Sequence, residues 1–175
     1  MTRARLIGLA AVVLAAATAA VVVLLPRSAG AGPLGWPNDV GTSWSGLPVK
    51  RGQIAVTTLD LHQANSPAVL LDVRPLHPAD ADGLTIRYAA TTGKGLEIGG
   101  ARGWNAKAWQ LHRLAGFVIP AHARAGIAVG ASATKRGVYF LHAFVVDYRI
   151  GGTHYSAPLY QGLEVCVARG CPNGG

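Results

Sequence analysis

The side chains best suited to chemistry in this chain are six histidines, His62, His77, His112, His122, His142 and His154, and two cysteines, Cys166 and Cys171. Metal binding is the first chemistry to weigh. No two histidines are spaced to share one face of a helix, and a blue-copper site would need His and Met after a C-terminal Cys. No His follows Cys166, and the only methionine is Met1. His142 and His154 fall on the two arms of one hairpin, too far apart to share a metal, and His142 reads as a hydrogen-bonded core histidine. A composite site built from His62, His77, His112 and His122 stays open as the alternative. Cys166 and Cys171 are expected to form a disulfide that clips the tail to the last strand, with Gly170 letting the chain turn back. The competing reading is a redox pair. It lacks the Cys-x-x-Cys spacing and a helix N-terminus to lower a thiol pKa.

Other catalytic patterns fail on their own terms. Asp80 and Asp82 are the one close acid pair, too few ligands for calcium and without a partner across a cleft for glycoside hydrolysis; a solvated turn is expected. The stretch 41–46 lacks the glycines of a Gly-x-Ser-x-Gly elbow. Gly93-Lys94-Gly95 has neither a Ser or Thr after Lys94 nor a helix behind it, so it is no phosphate loop. No catalytic residue, cofactor or metal ligand is therefore assigned, and the chain is not expected to be an enzyme. The candidate partner-binding surface is Trp104, Lys107 and Trp109, joined by Trp36 and Trp44, because indole combines a flat apolar face with a polar edge. The competing reading has Trp109 entering the core with Leu111, Trp104 covering an edge, and Trp36 or Trp44 folding back over the domain.

These residues must be positioned by strands. From about residue 53 the pattern has period two: Leu84, Ile86 and Tyr88 alternate with Thr85 and Arg87, Val69, Leu71 and Val73 with Leu70 and Asp72, and Ile127, Val129 and Ala131 with small residues. Gly and Pro clusters punctuate the runs, and nothing sustains a helical stripe. Residues 138–150 and 153–167 flank Gly151-Gly152, which suits a two-residue type I′ hairpin turn. That turn sets Ile150 opposite Thr153, Tyr148 opposite Tyr155, Phe144 opposite Leu159 and Phe140 opposite Leu163. Val138, Phe140, Phe144, Val146 and Tyr148 then share the core face. Pro158 marks the second strand as an edge or a bulge. The expected fold is all-β, an immunoglobulin-like β-sandwich of about 7–9 strands.

The N-terminus has a different character. Residues 6–25 are uncharged and predominantly apolar, long enough for a helix to span roughly 30 Å of bilayer core. Arg3 and Arg5 precede them and would hold that end in the cytoplasm. The organisation expected is a cytoplasmic N-terminus (1–5), one transmembrane helix or signal-anchor (6–25), a flexible linker (26–48) rich in Pro, Gly and Ser, an extracytoplasmic β-sandwich (49–168) and a tail (169–175). The alternative is a secreted protein whose leader is cleaved after Ala29-Gly30-Ala31. Beyond residue 26 the chain carries 14 Lys and Arg against 8 acids, about +6 in net charge, which would draw anionic lipid head groups or an anionic envelope polymer; the competing reading is that Arg is simply common here, 12 against 4 Lys, and an envelope protein is the other partner expected. Nucleic acid is not an expected partner, since no motif that interleaves aromatic and basic residues appears.

Gly116 to Pro120 leading into an Ala-Gly-rich strand, Gly137-Val138-Tyr139 opening a strand that ends in Val146-Asp147-Tyr148-Arg149, the Gly151-Gly152 turn, and a closing Val165-Cys166-Val167 together resemble one loose class. These are the uncharacterised membrane-anchored or secreted immunoglobulin-like sandwich proteins of high-GC bacteria. The resemblance implies an architecture and no activity. The function expected is a non-catalytic binding or assembly module of the cell envelope. The alternative is a metal-handling or enzymatic domain using loop histidines.

Overall fold

Residues 32–35, 43–168 and 170–172 are described by the computed structural model. The expected transmembrane segment 6–25 and Trp36 lie outside them, and among the described residues no helix is long and apolar enough to cross a membrane. Among the described residues twelve strand segments form the fold: β1 (Ser43–Val49), β2 (Ala55–Leu61), β3 (Ala68–Pro75), β4 (Thr85–Thr91), β5 (Ala101–Arg102), β6 (Leu111–His112), β7 (Val118–Ile119), β8 (Ala125–Ser132), β9 (Gly137–Leu141), β10 (Phe144–Ile150), β11 (Thr153–Leu159) and β12 (Gln161–Val167). The number exceeds the expected 7–9 because β5, β6 and β7 are two residues each and two long strands are broken. Two 3₁₀ turns, Pro78–Ala81 and Gly93–Glu97, interrupt the strands.

One layer is a sheet in the order β5-β2-β8-β4-β6. The other consists of β11-β10-β3-β7 and β1-β12-β9. Because β9 leads into β10 across His142-Ala143, and β11 into β12 across Tyr160, these are two wings of one bent layer. The layers pack face to face. Leu59, Ile127 and Val129 from the first share one core with Leu70, Phe144, Val146, Tyr148, Leu163 and Val165 from the second. Tyr88 meets Phe144 edge-to-face across the gap, with ring centroids 6.3 Å apart. Such mutual burial of two inner faces makes a β-sandwich.

The alternation of Leu84, Ile86 and Tyr88, and of Ile127, Val129 and Ala131, is realised: both sets pack in or against the core. In β3 the core positions are Ala68, Leu70 and Val73, not the expected Val69, Leu71 and Val73. The register of β3 against β10 shifts between Asp147 and Tyr148, and a bulge there exchanges the two faces. The hairpin turn differs too. Positive φ is confined to Gly151 (56°), the pattern of a II′ rather than a I′ turn. The pairing it sets is as expected for Ile150 with Thr153, Tyr148 with Tyr155 and Phe144 with Leu159. Phe140 with Leu163 is not: Leu163 pairs with Leu141, and Phe140 with Glu164.

The N-terminal boundary needs correction. Residues 43–48, expected in the linker, belong to β1, which runs parallel to β12 from Ser43 opposite Gln161 to Val49 opposite Val167. Gly46 and Pro48 hide the strand from any test of periodicity, and Pro48 is tolerated because β1 is an edge strand. Leu34 is fully buried in the core. Its N–H donates to the Tyr148 hydroxyl at 3.0 Å, and its carbonyl accepts the His62 N–H at 3.1 Å.

Candidate functional site

A concavity lies where β2 ends and β8 begins. It is a cleft of about 410 Å³ lined by Asp60, His62, Gln63, Asn65, His122 and Arg124 among others. Two loops build it. The loop after β2 is anchored by the His62 backbone on Leu34. The loop before β8 is held by His122, which donates its N–H to the Ala64 carbonyl at 2.8 Å while sitting at φ 60°. Left-handed backbone is uncommon for a residue other than glycine, though histidine tolerates it better than most. The cleft is further braced from β12: the Gln161 side-chain oxygen accepts the Asp60 N–H at 2.8 Å. The His62 ring nitrogen Nδ1 lies 3.0 Å from the Gln63 carbonyl. Arg124, two imidazoles and two carboxamides thus face one acid, Asp60. This donor-rich wall suits a polar, anionic ligand.

Of the four histidines proposed for a composite site, the structure brings His62 and His122 to this cleft. His112 is elsewhere, stacked on Phe117 with centroids 5.3 Å apart, and His77 sits beside the Pro78–Ala81 turn. Among the described residues no three histidines converge. His154 pairs with Arg149 across the hairpin, as expected.

His142 was expected in the core and is not there. Its side chain is half exposed and its Nδ1 lies 2.9 Å from the Asp80 carboxylate, which also accepts the His142 N–H at 3.1 Å. The strand break at His142-Ala143 turns the ring outward, where it stacks on Phe140 at 5.8 Å. Asp80 is therefore not simply solvated, as its loop suggested, whereas Asp82 is exposed. Burial pushes the Asp80 carboxyl up, but the His142 backbone N–H, its imidazole and the nearby His77 outweigh that and hold it below the usual value.

The tryptophan segment forms part of a second apolar layer. Gly126, Ala128 and Gly130 of β8 point away from the core, and the excursion 92–112 packs over them. A Cβ on Gly130 would lie 2.7 Å from the Trp104 ring, and one on Gly126 would lie 2.8 Å from Leu96. Thr58 anchors the excursion by donating its hydroxyl to Gly95 at 2.7 Å and its N–H to Ile98 at 3.1 Å. Trp104 is half-buried over Gly130, with the Arg87 guanidinium 5.8 Å from its ring centre. Trp109 is also half-buried, its carbonyl accepting the Thr91 hydroxyl at 3.1 Å, and Lys107 is exposed. Trp44 lies in β1, its backbone opposite Gly162. Sequence reasoning missed Asn65, Gln63 and Arg124 as a group, because they become neighbours only when the two loops meet.

Cys166 and Cys171 form the expected disulfide, with Cα atoms 5.3 Å apart. Ala168 takes φ 55° and donates its N–H to the Val49 carbonyl at 2.9 Å, which starts the turn that returns the tail.

No protein-family model matches the chain, and no curated protein matches it. Among solved structures the chain is similar to the ASH/PapD-like domain of human CEP192 (PapD-like domain 7), with 9% identity and a TM-score of 0.40 over 75% of this chain and 84% of that one. It is also similar to a family 123 glycoside hydrolase from Clostridium perfringens, with 13% identity and a TM-score of 0.37 over 73% of this chain and 23% of that one, so it spans under a quarter of the hydrolase.

Proposed function

We propose that this chain is a non-catalytic binding module of the cell envelope, a β-sandwich held outside the cytoplasm by the apolar segment 6–25, of the kind found in high-GC bacteria. It recognises an anionic polymer through the cleft between the β2 and β8 loops. The single observation that carries this reading is the composition of that cleft, in which Arg124, His62, His122, Gln63 and Asn65 face only Asp60. The net charge of about +6 beyond residue 26 supports it by drawing polyanions to the surface. Trp104 and Trp109 serve the excursion over β8 first, which moves the proposed contact away from them.

The test is calorimetric titration of the full chain with a polyuronate oligomer and, in parallel, a neutral dextran oligomer. Binding is expected for the polyuronate alone. Arg124→Ala should weaken it about tenfold, the scale of one lost charge-assisted hydrogen bond; Lys135→Ala, in the β8–β9 loop, should not. Equal binding of both oligomers, or an unchanged Arg124→Ala, overturns the cleft as the site. Anchoring is tested separately: the protein should remain with membranes after a carbonate wash, and a mature N-terminus at Gly32 overturns it.

A further inference from the structure

Glu164 is the most anomalous side chain among the described residues. It is 1% exposed, and its Oε1 has no hydrogen-bond partner. Burying a carboxylate oxygen without a donor costs several kcal/mol in the general case. The strand pairing explains why no donor is at hand. Leu163, Val165 and Val167 enter the core, so Glu164 and Cys166 point to the opposite face. There Glu164 has Phe140 on one side and Gly46 on the other, and neither side chain can donate. What does stand beside it is sulfur: one ligand atom each from Glu164, Cys166 and Cys171 lie within 4.8 Å of one another. Cys166 is fully buried, and Cys171 is partly open to solvent.

A disulfide that only clips a tail needs no carboxylate beside it. We propose that Glu164, Cys166 and Cys171 form a cation site that opens when the disulfide is reduced, taking a thiophilic d¹⁰ cation of the Zn²⁺ class. A reducing dithiol exchanges with the bridge: the dithiol becomes a disulfide, and Cys166 and Cys171 each gain one electron and one proton as thiols. Zn²⁺ then displaces those two protons to solvent and binds two thiolates and the Glu164 carboxylate, with water in the fourth position. Thiolate sulfur and carboxylate oxygen are both zinc ligands, and three protein ligands with one water make an open tetrahedral site. The metal satisfies the orphaned oxygen. It also ties the tail to β12 through the same two sulfurs, so the tail stays fastened in either redox state. Cys171 provides the solvent-side approach.

The test uses the full chain, reduced with a phosphine, desalted and titrated with Co²⁺ under anaerobic conditions. The reduced protein is expected to show a thiolate-to-cobalt charge-transfer band saturating at one equivalent, and Zn²⁺ should erase it. The oxidised protein should show none. Glu164→Gln keeps the shape and removes the carboxylate, and should weaken binding about tenfold or more. Absence of the band in the reduced protein, or equal affinity in Glu164→Gln, overturns the proposal. If Glu164→Gln does not fold, X-ray absorption of the zinc-loaded wild type decides: two sulfur scatterers near 2.3 Å with oxygen near 2.0–2.2 Å uphold the site, and any other first shell overturns it.

Discussion

The long hairpin that closes the sandwich behaves differently at its two ends. Near the turn, β10 and β11 pair in one continuous register, and Phe144, Val146 and Tyr148 face the core opposite Leu159, Ala157 and Tyr155. At the far end β9 and β12 pair one residue out of step with that register, so Leu141 enters the core opposite Leu163. The break is uneven: two residues, His142 and Ala143, separate the inward Leu141 and Phe144, but three separate Leu159 from Leu163. The extra residue on the second strand is a bulge. The parity of β12 is kept while that of β9 flips. Phe140 and His142 turn outward, where His142 finds Asp80 and Phe140 flanks Glu164. The lesson is that a single uneven count of residues redistributes chemistry over a whole strand. The outward positions of Phe140 and His142 follow from it.

Truncating a side chain on either side of the slip separates the two registers. Leu141→Ala should cost about 2–5 kcal/mol, as for other buried leucines, and Phe140→Ala well under half of that, read by denaturant unfolding. The opposite ranking would restore the unbroken register. The near half has its own signature in alkali. Burial pushes Tyr148 up to about 12, the Leu34 N–H opposing and Tyr155 adding to it; burial and Asp72 push Tyr88 up to about 12. The folded state therefore retains those phenolic protons longer than the unfolded chain. Stability is full below pH 10 and should fall between about pH 10 and 12, by on the order of 2 kcal/mol for Tyr148. Tyr148→Phe should flatten that limb and also cost about 1 kcal/mol at neutral pH through the lost Leu34 contact. At the far end, Ala168→Gly should stabilise by up to about 1 kcal/mol, because glycine adopts φ 55° without penalty. The smallest effect is expected at the junction. Asp80 is held below its ordinary 3.8, so its contribution is full above that value and is lost as pH falls through the lower folded value. Asp80→Asn should remove this acid-side slope and cost no more than about 1 kcal/mol at pH 7.

Legibility along the chain followed how local each determinant was. Gly151-Gly152 and the alternation around it were enough to place Tyr148 against Tyr155, because a tight turn fixes its own register. The disulfide was legible from spacing and a nearby turn. The bulges in β3 and between Leu159 and Leu163 were not, because nothing in either residue set announces an uneven count. β1 was obscured by Gly46 and Pro48, and its pairing with β12 is a contact between stretches more than a hundred residues apart. The cleft was legible only as separate histidines. His62 and His122 become neighbours through the backbone bond from His122 to Ala64, which no local pattern encodes.

The parallel pairing of β1 with β12 also sets a schedule. The partner of residues 43–49 is residues 161–167, so β1 must wait until β12 has been made. The hairpin β10–β11 can form from nearby sequence, but the edge that fastens the N-terminal approach is a contact of very high sequence separation, which slows folding. Until β12 arrives, β1 is an unpaired strand open to other chains. Residues 161–167 thus secure a strand made more than a hundred residues earlier.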